Sequence, residues 1–510
     1  MLPALLALTL AAGALPAGAS HNADAHSKMD LLFTSPNGKI NSDLAFWGNH
    51  LFEGYYTGDA TPSGGVRVFD ISNPASPVLV KDIQCDGLQN DPIVWDRNGN
   101  GIADLLLLAV DRTMASPACG APRVAHDDPT GWEGIRVFTM SDDPANPFAT
   151  VTQVAGVYQD CGSHTITLWP GEVGNGNLIV YSSSYPLRPG PTCGQVNGPA
   201  AGRDPLHGVI QVVRVPLANP AAAVEIAEPP INYPGDPDNQ IDWCERGLCA
   251  PGVLEPAARA CHDIVVHVEH ALAGGACAEQ GQVWNIGPGG IPDTTNPVMI
   301  GDDEFSSGGT GNIPGAVDFF HSVMFDNGAE TVNWVDESFG IGCPPMTQWN
   351  ARPWHPASLE KTGKMFFSDV ATGDFLSEFQ IGDLRPDSDP AAYCSAHMGM
   401  AVMDIQRDLL VNAWYTGGVD VIDFTQPTRL KEIAYYDIAG AGPSGSDNWS
   451  AYPYVGPRFL AGGPRGRAGV PVYASDGVHT PPSARGLLVL RAIIEQPHVT
   501  RDHLNPQTMD

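Results

Sequence analysis

The sequence predicts an all-β, seven-bladed β-propeller closed by an N-terminal strand. Three observations point there. Short apolar runs recur in groups of three or four, separated by Gly- and Pro-bearing turns, as successive antiparallel strands read in sequence. The groups repeat along the whole chain, and 57 glycines and 46 prolines in 510 residues suit a loop-rich β protein rather than a helical one. Finally, four histidines each open the first run of their group: His164 in HTITLW, His262 in HDIVVHV, His321 in HSVMF and His397 in HMGMAV. A residue that recurs at one point of a repeated unit occupies the same place in every unit of the fold.

Residues 1–19, MLPALLALTLAAGALPAGA, are small and apolar and read as a secretory signal peptide cleaved near Ser20, although the usual positive n-region is missing. The stretch is too short and too rich in Ala and Gly for a membrane span. Residues 20–510 read as one exported domain, secreted or periplasmic, with no membrane span once the signal peptide is removed. MDLLF at 29–33 precedes the first unit and has no unit of its own. Unit one starts near Asp43 and runs through DLAFWG, LFEGYY, GVRVFDISNPASP and VLVKDI. Unit two starts near Asp91 with DPIVWD, DLLLLAV, GIRVFTMSDDPANP and ATVTQV. Unit three starts at His164, with NLIVYSSS and GVIQVVRVPLANP. Unit four starts at His262, with GQVWNIGPGG and NPVMI. Unit five starts at His321, with TVNWVDE, KMFFSDV and FLSEFQI. Unit six starts at His397, with LLVNAWY, GVDVIDFTQPTRL and EIAYYDI. Unit seven starts near Ser450, with SAYPYV, VPVYASD and GLLVLRA, and lacks a fourth strand. The two oddities resolve together if the N-terminal segment supplies the outer strand of the last blade.

The units average about 69 residues, above the ~40–50 of an ordinary blade. The surplus lies in Gly/Pro-rich insertions at 111–133, 184–207, 228–258 and 340–362, and long loops on a rigid scaffold commonly carry binding sites. The polar end of the chain, HVTRDHLNPQTMD, offers no anchor. With 26 basic and 57 acidic residues the net charge is −31. Such a surface repels phosphate backbones, so nucleic acid is not an expected partner, whereas divalent cations are compatible. The ten cysteines are even in number and favour disulfides in an oxidising compartment. Pairing neighbours gives Cys85 with Cys119, Cys161 with Cys193, Cys244 with Cys249, Cys261 with Cys277, and Cys343 with Cys394. A thiolate metal site would normally show paired C-x-x-C spacing, which is missing.

GVRVFDISNPASP at 65–77 resembles the LVIVD repeat of exported bacterial propeller proteins. GIRVFTMSDDPANP at 134–147 and GVDVIDFTQP at 418–427 are similar, as are CHDI at 261–264, FHS at 320–322 and WSAYPY at 449–454 with the later YASD and RGLLVLR. The resemblance covers nearly all of the chain after the signal peptide, although units four, five and seven depart from the Gly-x-x-Val-x-Asp core. It implies a secreted propeller and says little about activity.

In a ring of such units the four imidazoles point toward a common axis at one channel mouth. Neutral imidazole is the commonest metal ligand, and several histidines with an open position suit iron, copper, zinc or manganese. Carotenoid oxygenases hold iron by four axial histidines on a propeller, an analogy of architecture only. Two other readings stand beside this one: a blade-stabilising hydrogen-bond network, as in Trp-Asp propellers, and a metal-free polar ligand site. Asp43 and Asp91 stand at the matching points of units one and two, as extra ligands or their supports, and Asp263 stands ready to orient an imidazole. His267 and His270 do not recur and read as surface or turn residues.

A second candidate is DRNGNGIAD at 96–104, where Asp96, Asn98, Asn100 and Asp104 offer oxygens at calcium-loop positions 1, 3, 5 and 9. Leu107 replaces the usual Glu at position 12, and the alternative is a plain Asn-Gly hairpin turn. Asp336-Glu337, at a strand end, could bind a cation or act as acid and base. No G-x-S-x-G elbow, P-loop or H-E-x-x-H occurs. Function therefore reads as ligand binding at the channel mouth, with a small molecule, glycan or protein as partner. The alternative is a metal-dependent oxidoreductase or lyase using the same histidines.

Overall fold

A computed structural model of the chain describes residues 28–57, 64–121, 124, 130–159, 162–183, 208–231, 261–277, 280–301, 320–337, 363–381, 395–415, 417–438, 446–457, 469–477, 485–497 and 499–510. Residues 1–27, the 184–207 and 340–362 insertions and most of 228–258 lie outside these residues. Regular structure among them is strand, almost all paired antiparallel, apart from short 3-10 turns such as Pro170–Asn175. No helix among the described residues is long and apolar enough to cross a membrane.

Most strands associate in four-stranded antiparallel groups built in chain order; the groups of units six and seven are joined in one eight-stranded sheet with Met29–Ser35, and units one and four each take on a short C-terminal strand. Unit one is Ile40–Trp47, His50–Tyr56, Gly64–Asp70 and Val78–Gln84. The first strands of the later units are Gln89–Trp95, Thr165–Trp169, Asp263–His267, Phe320–Phe325, Ala396–Ala401 and Asn448–Pro453. Each lies beside the first strand of the next unit, and Asn448–Pro453 lies beside Ile40–Trp47. Four-stranded sheets with their first strands side by side around an axis make a β-propeller. Met29–Ser35 adds to Gly486–Ala492 in antiparallel register, with Met29 opposite Ala492.

Thr165–Trp169 shows why these inner strands alternate. The pattern promised one buried face, yet all five positions are buried. Ile166 and Leu168 enter an apolar layer with Ile93, Leu107 and Val137 of unit two. On the opposite face Thr165 and Thr167 donate hydroxyls to the carbonyls of His262 and Ile264 in unit four, at 2.8 and 2.5 Å. In a propeller each sheet is sandwiched between two neighbours, so the polar face also disappears from water and must be satisfied internally. The outermost strands behave differently: Val78–Gln84 is largely exposed, because nothing packs outside it. Units one and two, three and four, and six and seven share apolar clusters between them, and unit seven meets unit one through Phe46 stacked on Tyr454 at 4.7 Å.

The segment 501–510 is not a loose polar end. His503–Leu504 pairs with Phe46 and Trp47, and Thr508–Met509 pairs in parallel with Val266 and His267. Asn505 donates to Val94 O at 3.0 Å and accepts from Val94 N at 2.8 Å. Thr508 donates to Leu168 O at 3.1 Å. Leu504, Asn505, Gln507 and Thr508 are fully buried. The segment therefore ties the inner strands of units one to four together at the ends opposite the histidines.

Two expected disulfides are present, Cys85–Cys119 and Cys261–Cys277. The other three expected pairings involve Cys161, Cys193, Cys244, Cys249, Cys343 and Cys394, outside the described residues.

Candidate metal centre

The histidines sit at the starts of their inner strands, and the backbone there is irregular. Ladder register slips between Asn41 and Leu44, Gln89 and Pro92, Phe320 and Ser322, Ala396 and Gly399, and Asn448 and Ser450. Such bulges re-aim side chains and recur beside functional sites. The ladders that follow His164 and His262 run without a slip, and the four imidazoles form a row. Ring centroids are 4.3 Å apart from His164 to His262, 3.7 Å from His262 to His321 and 3.9 Å from His321 to His397. All four are buried, at 0–3 % exposure.

Their protonation follows from burial. Burial, then the neighbouring His164, holds His262 well below the usual histidine range. Burial, then His262 and His397, does the same to His321. These imidazoles are neutral at pH 7, the form a metal needs. The His397 Nδ1–H donates to Trp449 O at 2.5 Å, which makes Nε2 the basic nitrogen. Asp263 accepts from His262 Nδ1 through Oδ1 at 3.2 Å, and its Oδ2 lies 3.7 Å from His321 Nδ1. Burial pushes the Asp263 carboxyl up to about 7. On the other side of the ring, Glu337 Oε2 lies 3.7 Å from His321 Nε2, and Tyr415 donates its hydroxyl to Glu337 Oε1 at 3.0 Å. Burial, then Glu337, keeps that phenol protonated.

The four histidines do not converge on one point. Ligating atoms gather instead in two trios, His262 with Asp263 and His321, and His321 with Glu337 and His397, each within 4.8 Å of one another. Donors on a tetrahedral ion with ~2.0–2.1 Å bonds sit about 3.3–3.4 Å apart. The 3.7 Å separations at His321 therefore need to close by only a few tenths of an ångström. His164 stands aside from both trios. Its Nδ1–H donates to Asp111 Oδ2 at 2.9 Å, and its Nε2 faces the Gln89 amide at 3.4 Å. Gln89 holds a positive φ of 69°, an uncommon conformation for a residue with a side chain.

Asp43 and Asp91 lie four residues before the last residue of their inner strands, as His321 and His397 do, whereas His164 and His262 lie five before it. Neither aspartate belongs to the two trios. Asp43 instead accepts from Tyr452 at 2.6 Å, and Asp91 accepts from Ile166 N at 3.1 Å. Asp336 accepts from Gly363 N at 2.8 Å, leaving Glu337 as the member of that pair beside the histidines. His267 is buried, with its Nε2 at 3.2 Å from Asn327 O, rather than a surface residue, and faces His270 at the far end of its strand.

The 96–104 loop lies at that far end too, past Trp95, about 20 Å along the strand from the histidine level. Asp96 accepts from the amides of Asn98, Gly99 and Gly101, and Asn98 and Asn100 accept from Asn100 and Ile102. Asp104 is paired with Arg97 at 2.8 Å. The loop's oxygens are thus engaged by its own turn amides and a guanidinium. Asp111, Gln89, Tyr415, Trp449 and Gln507 were not singled out from the sequence. Gln89 and Asp111 belong to unit two, Tyr415 to unit six, Trp449 to unit seven and Gln507 to the 501–510 segment, and no local pattern joins them.

No family model matches the chain, and no curated protein matches it. Solved structures do. Raptor from Chaetomium thermophilum matches at 10 % identity and a TM-score of 0.47, over 92 % of this chain and 29 % of that one. Sqt1 from Saccharomyces cerevisiae matches at 10 % identity and a TM-score of 0.44, over 92 % of this chain and all of that one. Sqt1 from Chaetomium thermophilum, bound to the N-terminus of ribosomal protein L10, matches at 13 % identity and a TM-score of 0.42, over 89 % and 88 %. These likenesses are remote and carry no functional inference.

Proposed function

We propose that this is an exported, LVIVD-like, seven-bladed propeller that binds a divalent transition metal at the histidine end of its channel and takes up a ligand through that metal. The observation that carries the reading is the trio His321, His397 and Glu337, with ligating atoms within 4.8 Å of one another. Two imidazoles and one carboxylate leave coordination positions open, and iron, copper, zinc and manganese accept such a set. Bound there, the ion would supply a Lewis acid for an oxygen donor of a small molecule, glycan or protein segment. Glu337 is 15 % exposed in its side chain while the histidines are sealed, so approach is from the Glu337 side.

Blade number and closure are part of the same proposal. The quartets, the contact of unit seven with unit one and the pairing of Met29–Ser35 with Gly486–Ala492 all support a closed ring of seven. Export is supported by the Cys85–Cys119 and Cys261–Cys277 bridges, which persist in oxidising compartments. An oxidoreductase or lyase would use the same centre, with the protonated Tyr415 phenol beside Glu337 as its proton-bearing group.

Glu337→Gln tests the reading. It keeps the shape of the side chain and its bond from Tyr415 but removes the anionic donor. Metal affinity should fall at least tenfold with the thermal midpoint unchanged. Equal affinity in the variant would overturn the assignment.

A further inference from the structure

We infer that the row holds two metal ions rather than one, with His321 between them. This rests on the metal reading above and extends it. His262, Asp263 and the Nδ1 of His321 form an inner site, while the Nε2 of His321, Glu337 and His397 form the outer one.

Three observations carry the inference. The two trios of ligating atoms share a single residue, His321. The two nitrogens of that ring face opposite carboxylates at the same distance, Nδ1 to Asp263 Oδ2 and Nε2 to Glu337 Oε2, both at 3.7 Å. Asp263 is fully buried, and its Oδ2 accepts no hydrogen bond, although Oδ1 is engaged by His262. A buried carboxylate oxygen without a donor is costly and calls for a proton or a cation. A residue placed only to orient His262 would need Oδ1 alone.

The charge and proton count closes. With one ion, His321 is a neutral ligand that keeps one N–H. When the second ion binds, that proton and any proton on Asp263 pass to solvent, and the ring would bridge as imidazolate. The bridge, Asp263 and Glu337 then carry three negative charges against the four positive charges of two divalent ions. No electron is transferred.

The test is titration of the metal-free full chain with Cu(II) alone, counting copper retained after gel filtration and recording its EPR spectrum. The expected result is two coppers per chain. The first equivalent gives an isolated-ion signal, and the second makes the signal per copper collapse through exchange coupling across the ring. Asp263→Asn, which preserves shape, should hold one copper with an isolated signal. One copper in the wild type, unchanged in Asp263→Asn but lost in Glu337→Gln, would overturn the second site and leave the outer site standing. Two coppers whose isolated signals persist would overturn the bridge. No retained copper would overturn both proposals. The wild-type count and spectrum decide the question even where a variant fails to fold.

Discussion

Leu504→Ala and Asn505→Ala test whether the 501–510 segment is structural. Leu504 is fully buried, opposite Phe46 in the strand ladder and within the same apolar layer as Tyr454. Truncating such a leucine costs about 2–5 kcal/mol, the spread reflecting how far the site collapses. Asn505 is fully buried and makes both of its bonds to the backbone of Val94. Alanine there strands one N–H and one C=O, at roughly 1–3 kcal/mol each. The two residues are adjacent, so their effects should not add. Urea unfolding followed by tryptophan fluorescence suits the measurement, since Trp47 stacks on His503 at 4.4 Å. The midpoint should fall in each variant with the slope unchanged. Changes within about 0.5 kcal/mol, as for surface positions, would refute the placement of the segment.

Further perturbations have defined outcomes. Asp43 is buried and its carboxyl is pushed up to about 7, chiefly by desolvation. Its folded value exceeds its unfolded one, so ionisation destabilises the fold as pH rises from about 4 through 7. Asp43→Asn should therefore be nearly neutral at pH 4 and stabilise the metal-free protein above pH 7. The upper bound is roughly 4 kcal/mol, the worth of moving a carboxyl from 3.8 to about 7; equal effects at both pH values would contradict this. Arg67 is buried against Glu53 and donates to Ser35 O of the added N-terminal strand at 2.9 Å. Arg67→Met strands the Glu53 charge and should cost about 3–5 kcal/mol in chemical denaturation; a cost under 1 kcal/mol would show that the pair is not sealed.

Much of the fold was legible because its signals are local. The four-strand groups, the turn residues and the unpaired 29–33 segment are all carried by apolar runs and punctuation. The double burial of the inner strands was not, because Thr165 and Thr167 read as a wet face until unit four supplies carbonyls for them. The 501–510 segment was invisible for a related reason. It is held by backbone ladders and by Asn505, Gln507 and Thr508, and those residue types mark a solvated end in any pattern argument. At the site, recurrence found the four histidines but could not separate His164, which Asp111 and Gln89 hold aside, from the three that share carboxylates. Asp336 and Glu337 were equivalent in sequence, and only the Gly363 amide distinguishes them. That His164 and His262 stand one position earlier than His321 and His397 depends on where each inner strand ends, which apolar runs locate poorly.

The most direct test is elemental analysis of the purified full chain after gel filtration without chelator. Iron, copper, zinc or manganese at one to two equivalents per chain, reduced in Glu337→Gln, is the expected result. Calcium alone, retained in Glu337→Gln and lost in Asp96→Ala, would place the ion in the 96–104 loop and contradict a metal centre at the histidines.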